Sequence, residues 1–376
     1  MKQMLTILAL GALVLPGALA AQQAEPPRPQ DEYDNTRLGG TAAAFLTLPG
    51  DARGAALGGS YATLVTDVSS MFYNPAGLAL GTQSQAMFSY TDYVEGTRHV
   101  TGGMSWSLRG GEWGLGVSIS NFGFSGQPVY TEDFQDGNGE LYNVSETAVG
   151  LTLSLQLSDK FSAGITPRYI NDQLGRVTAN GFTIDFGTSY HTEVSGRPFR
   201  ASFLMLNYGT PLSHSGNVLN DEVDPIDGSM NVEDQPVRVR TSEFDPPTQF
   251  RVGVAYDVMS SANNRLTLMS EFNQPNDNEP GVGFGAEFSA SVAEGLTAAL
   301  RGSFSYQPDN ADGGPGANFR QSAFDSDAES DADLDGLALG GGLGWGLGDW
   351  DIGVDYAYRH LGILSGVNMF SLKLGW

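Results

Sequence analysis

The chain has 376 residues, a net charge of −24 and no cysteine. That charge excludes a nucleic-acid-binding surface, which needs basic side chains to neutralise phosphates, and the missing cysteines exclude thiol catalysis, disulfides and Cys-based metal sites. After the first twenty residues no run of eighteen apolar residues occurs, so there is no transmembrane helix, and two classes remain: a soluble exported protein, or a membrane barrel that hides its apolar residues by alternation.

Residues 1–20 read as an export signal: Lys2, an apolar run from Leu5 to Leu15, then the small-residue site Ala18-Leu19-Ala20. The mature chain would begin near Ala21. Residues 21–40 are polar and Pro-rich and read as a flexible periplasmic leader. Residues 41–82 are Ala/Gly-rich with short apolar pieces, compact and partly helical in character.

From residue 83 to 376 the pattern is that of strands. In 249–258, Phe250, Val252, Val254, Tyr256 and Val258 alternate with Arg251, Gly253, Ala255 and Asp257; 180–190 and 350–359 repeat the pattern. A period of two puts each set on one face. Fourteen strands are expected: 83–92, 98–108, 112–124, 144–157, 160–173, 179–192, 198–209, 248–260, 264–274, 280–291, 295–307, 334–347, 350–360 and 367–376. The number is even and the lengths suit tilted membrane strands of about 9–11 residues. Every second link is short, and the long ones (125–143, 210–247, 308–333) fall between them. Short turns at one end and long loops at the other make this an all-β, antiparallel up-and-down transmembrane barrel in the outer membrane of a Gram-negative-type bacterium.

Its last strand carries Phe370, Leu372, Leu374 and Trp376 on one face and Ser371, Lys373 and Gly375 on the other. A final alternating strand ending in an aromatic resembles the signal read by the barrel-assembly machinery, which joins outer-membrane lipid as an expected partner.

Residues 45–78, FLTLPGDARGAALGGSYATLVTDVSSMFYNPAGL, resemble the N-terminal signature of the PorV/PorQ family within the FadL-like barrels. The matching positions are Phe45-Leu46, Pro49, Ala52-Arg53, Ala56-Leu57-Gly58-Gly59, Asp67 and Asn74-Pro75-Ala76-Gly77-Leu78. The resemblance implies a fourteen-stranded barrel with residues 41–82 folded back inside as a plug, or hatch. No cofactor is expected, and the resemblance implies one of two activities: docking of secreted cargo proteins in type IX secretion and surface attachment, or passage of small hydrophobic molecules across the outer membrane.

The expected lumen face carries Arg168, Asp185, Arg251, Asp257, Glu271, Glu287, Arg301, Asp355 and Arg359. Charges of both signs can pair across strands. Lumen residues need only be polar or small; beyond that, the set would form a polar conduit or a dock for the plug, with Arg53 pairing to one of the acids. Strand 334–347 presents Ala338, Gly340, Gly342, Gly344 and Gly346 inward, a bare wall against which plug backbone or substrate would pack. In 112–124, Phe122 and Phe124 break the parity of Trp113, Leu115, Val117 and Ile119; either a bulge lies near Ser120-Asn121 or the strand ends at Ser120.

Asp325, Asp327, Glu329, Asp331 and Asp333 alternate in the loop 308–333. Carboxylates can hold calcium, but this is not EF-hand spacing, and a solvated acidic loop is the simpler expectation. His99, His191, His214 and His360 lack metal-ligand spacing, and neither a nucleophile elbow nor a phosphate loop occurs, so no enzyme is expected; an outer-membrane hydrolase ranks last. Transport would show as a continuous apolar groove from the outer loops to the plug. Docking would show as exposed apolar residues on the long loops, with Phe134 and Tyr142 as candidates, over a closed lumen.

Overall fold

The structure, a computed structural model, describes residues 40–130, 132–223, 235–306, 336–361, 364 and 366–376. The export signal, the leader up to residue 39 and the acidic run Asp325, Asp327, Glu329, Asp331 and Asp333 lie outside them. Fourteen antiparallel strands form one closed barrel, as alternation predicts. They begin with β1 (Gln85–Asp92), β2 (Arg98–Leu108), β3 (Trp113–Pro128), β4 (Leu141–Ser158), β5 (Phe161–Leu174), β6 (Val177–Val194) and β7 (Arg197–Gly209). Strands β8 (Asn220–Val223) and β9 (Gln235–Arg238) form a separate hairpin in the 210–247 loop. The barrel resumes with β10 (Gln249–Ser260), β11 (Asn264–Pro275), β12 (Gly281–Ala293), β13 (Leu296–Tyr306), β14 (Leu337–Leu347), β15 (Trp350–His360) and β16 (Gly366–Gly375). It closes between β1 and β16, from Gln85 opposite Gly375 to Asp92 opposite Asn368, so no strand edge is left unpaired in lipid.

The alternation has its expected physical sense. On β16, Phe370, Leu372 and Trp376 point outward and are exposed, while Met369 and Ser371 are buried inside. All five tryptophans of the chain, Trp106, Trp113, Trp345, Trp350 and Trp376, lie on outward faces near the short-turn end. Indole rings favour the boundary between hydrocarbon and water, so these rings mark one membrane surface.

The other surface is marked by a change of polarity across β3 to β6. Ile119, Val149, Tyr169 and Phe182 are register partners on one outward row. The next outward row towards the long loops is Asn121, Thr147, Asn171 and Asn180. Its amides are joined along the row: Asn121 donates to Thr147 Oγ1 at 2.8 Å and Asn171 donates to Asn180 Oδ1 at 2.9 Å. The lipid-facing band ends between these two rows.

This boundary explains the parity break in β3 and corrects both expectations for it. The strand neither ends at Ser120 nor bulges there; its register to β2 and β4 is continuous through Ser120 and Asn121. Phe122 and Phe124 face inward because polarity inverts beyond the membrane: water outside, apolar contacts inside. The extra residue comes later, at Ser125-Gly126, where Gly126 takes φ +53°. Strands β3, β4, β5 and β6 run 16, 18, 14 and 18 residues against 8 for β1. A membrane strand needs about 9–11, so these four rise past the boundary as a lip.

Candidate functional site

The lumen is occupied by the chain's own N-terminal segment. It begins at the long-loop end: the Thr41 hydroxyl donates to Asp277 at 2.7 Å and the Ala42 N–H to the Asp245 carbonyl at 3.0 Å. It then passes through the barrel to β1 at the short-turn end. Its elements are short: 3-10 turns at Ala44–Thr47, Gly58–Ser60 and Pro75–Leu80, with α1 (Ala52–Ala56) and α2 (Ser70–Tyr73). Isolated helices this short do not persist in water; contacts with the wall hold them.

Each matched position has a local reason. Phe45 is buried under the lip with Ala148, Ile170, Ala179 and Leu212. Pro49 borders a small cavity with Thr91, Tyr93, His99 and Arg359. Gly58 adopts φ +56°, and a Cβ there would lie 2.7 Å from Ser303 Oγ. Gly59 passes against the backbone of wall residue Gly283. Asn74 is the densest node. Its carboxamide oxygen caps the Pro75–Leu80 turn by accepting from Ala76 N at 3.1 Å, and its NH2 donates to the Ala62 and Thr188 carbonyls at 3.0 and 3.2 Å. Pro75 occupies the first turn, where its missing N–H is harmless. The Ala76 carbonyl accepts from Ser154 and Ser162, each at 3.0 Å. Gly77 lies against the Val65 carbonyl, leaving no room for a side chain.

Opposite this hydroxyl-lined side the contacts are ionic. Arg53 reaches Glu287 with Nε at 2.8 Å and Nη2 at 2.7 Å, a two-pronged pair, and lies 3.7 Å from Asp67. Glu287 also meets Arg301 at 2.7 Å, and Arg301 meets Asp355 at 2.6 Å. Lys373 on β16 bridges Asp51 and Asp67, each at 2.8 Å. Asp51 also caps α1 by accepting from Gly54 N at 2.9 Å, and accepts from Ser69 Oγ at 2.7 Å. The Arg53 guanidinium lies 5.4 Å from the Tyr61 ring centroid. One network thus ties the segment to β12, β13, β15 and β16.

The other expected lumen charges pair separately. Arg168 meets Asp185 at 2.6 Å and donates to the Met71 carbonyl at 2.8 Å. Asp185 accepts the Asn207 N–H at 2.7 Å. Arg251 meets Glu271 at 3.3 Å, and Glu271 accepts from Ala62 N at 3.2 Å. Asp257 meets Arg200 at 2.9 Å. Among the described residues no carboxylate pairs with Arg359, which lies beside the small cavity. The bare wall of β14 has two causes. A Cβ at Gly340 would lie 2.6 Å from Ala56 Cβ of the inner segment, whereas the space over Gly342 is filled by Arg301 and Asp355. Close approach by the inner segment therefore accounts for the first glycine only.

Lys373, Asp51 and Arg200 complete the ion pairs without appearing in the expected set. Lys373 shares lumen parity with Ser371, and Arg200 with Ser202; parity alone was enough to find both. Asp51 carried no periodic signal, because it precedes a helix of one turn.

A pH dependence follows for Asp67. Burial alone would raise its carboxyl, but the Lys373 ammonium and the Arg53 guanidinium outweigh that and hold it at about 2. An unfolded Asp titrates near ~3.9. A depressed folded value contributes stability above the unfolded value, and the contribution is lost as pH falls through the folded one. The segment's attachment should therefore weaken by about 2 kcal/mol between pH ~5 and pH ~2 from this residue. Hydrogen exchange of residues 51–73 across that range measures it, and Asp67→Asn should flatten the difference.

With the geometry in place, comparison with known proteins is informative. The family model for PorV, a type IX secretion system protein, matches residues 31–214. Among curated proteins none matches. Solved structures with the same architecture include the Pseudomonas putida toluene transporter TodX, 12% identical, covering 87% of this chain and 98% of that one with a TM-score of 0.51. The Ralstonia pickettii toluene transporter TbuX is 13% identical, covering 88% and 98% with the same TM-score. The monoaromatic hydrocarbon channel CymD is 10% identical, covering 88% and 97%, again at 0.51. At such identities the likeness shows the fold. Residues 31–214 thus carry the pattern of the PorV family and the whole chain has the barrel architecture of these transporters, so the chain is similar to PorV in sequence and to the toluene transporters in fold.

Proposed function

We propose that the short turns face the periplasm, the long loops face the cell exterior, and the protein docks exported protein cargo at its outer mouth for secretion and surface attachment. The observation that carries this is the filled lumen beneath an apolar mouth. Two cavities beside the inner segment, among the described residues, are each about 20 Å³, room for roughly one water and far too small for an aromatic ring. In the hairpin beyond the membrane boundary, Phe134 and Tyr142 are 57% and 43% exposed, and large exposed apolar groups outside lipid mark interaction surfaces. The lumen charges then serve to seat the inner segment as a plug, not to line a conduit.

Passage of hydrophobic molecules is the competing function, and one comparison separates them. Cells lacking this protein should lose surface-attached proteins and accumulate them in the periplasm, while uptake of a monoaromatic hydrocarbon stays unchanged. Unchanged surface display with impaired uptake would reverse the assignment.

A further inference from the structure

Resting on the docking function above, we propose that the inward face of the lip formed by β3 to β6 receives an apolar segment of cargo that carries a lysine or arginine. The inverted polarity builds the apolar part. Phe124, Val144, Leu174 and Val177 are register partners on one inward row, and Tyr142 stands beyond them with its ring 5.7 Å from that of Phe124. The next row inward opposes Glu146 to Asp172. Their faces are fixed by the row below, where Ala148 and Ile170 are buried against Phe45.

Two carboxylates directly opposite on neighbouring strands repel, and the neighbourhood answers them poorly. His214, from the 210–247 loop, stands 3.1 Å from Asp172 Oδ2. Asp172 is 3% exposed and, among the described residues, its Oδ1 accepts no hydrogen bond. Burying such an acceptor without a partner costs free energy. A cationic side chain arriving with an apolar segment supplies what is missing, whereas a neutral oily molecule covers only the aliphatic row. Leu174 and Tyr142 are 41% and 43% exposed, so the row is open to an incoming chain. The edge of β3 beyond the β2 pairing is bulged at Ser125-Gly126 and ends at Pro128, which discourages addition of a strand. Side-chain contacts from the inner face, not strand pairing, would carry the binding.

The test uses the full-length barrel in lipid nanodiscs and fluorescein-labelled ten-residue peptides. These alternate valine or tyrosine with serine around one central residue: lysine, glutamine or glutamate. Anisotropy should show the lysine peptide binding about tenfold tighter than the glutamine peptide, a difference of about 1.4 kcal/mol, with glutamate weakest. Glu146→Gln combined with Asp172→Asn should abolish the ranking, and Leu174→Ser should weaken all three; heat-modifiable gel migration checks that each variant folds. Equal binding of the three peptides overturns the proposal, as does no binding, or displacement of the lysine peptide by dodecane as effectively as by unlabelled peptide. These outcomes are separable from failure of docking itself. If surface display collapses in the deletion strain while the peptides do not bind, docking stands and this site falls.

Discussion

Arg53→Glu is expected to release the inner segment from the wall while leaving the barrel closed. In the native protein Arg53 meets Glu287 through two nitrogens and neighbours Asp67, all largely buried. The reversal places a third carboxylate among two, removes one cation from Glu287 and leaves Arg301 to answer it alone. Breaking one member of a buried charged set costs about 3–5 kcal/mol, and like-charge repulsion adds to that. No ladder between wall strands involves Arg53, so the cylinder should survive. Hydrogen exchange should therefore show residues 45–80 losing protection while the strands keep theirs. Arg53→Lys should fall between: the charge persists, but the fork onto Glu287 and the contact with Tyr61 do not. Full protection of residues 45–80 in Arg53→Glu would show that the hydroxyl-lined side at Ser154 and Ser162 holds the segment unaided.

How much of this was legible in the sequence differs by element. All fourteen wall strands were, because lipid outside and polar contacts inside enforce a period of two that no local propensity can mimic over so many repeats. The β8–β9 hairpin was not. It belongs to a polar, acidic loop, and neither of its faces carries an apolar stripe in the sequence. Phe122 and Phe124 were misread for an instructive reason: one rule of orientation was carried past the point where the solvent changes. Once β3 leaves lipid, the same alternation means the opposite. The network around Arg53 was legible by type but not by partner. Parity places Glu287, Arg301, Asp355 and Lys373 inside, but only the fold of residues 51–67 decides which of them meets Arg53. The signature around Asn74 was visible as an ordered set, while its cause, backbone packed against backbone, leaves no periodic trace.

That backbone contact gives the second large expected effect. Gly114 of β3 faces the lumen, and a Cβ there would lie 2.7 Å from the Leu78 carbonyl carbon, 2.8 Å from its oxygen and 3.0 Å from Ala79 N. All three are main-chain atoms of the Pro75–Leu80 turn, so no rotamer change relieves the clash. Gly114→Val must push the turn off the wall, breaking the Ala79 N–H bond to Ser154 at 3.1 Å and the two hydroxyl bonds to the Ala76 carbonyl. Overpacking alone costs about 1–3 kcal/mol, and each hydrogen bond lost adds about 1 kcal/mol. Gly102→Val is the matched control: a Cβ there finds its nearest neighbour at 3.6 Å, and valine suits a strand. In planar bilayers the native protein and Gly102→Val should stay closed, whereas Gly114→Val should show discrete ion-conducting openings. A fourteen-stranded cylinder is too wide for its own wall side chains to fill, so the inner segment that occupies the lumen is the expected seal. Closed behaviour in Gly114→Val, with the turn shown displaced by exchange, would assign the seal to the outer loops instead.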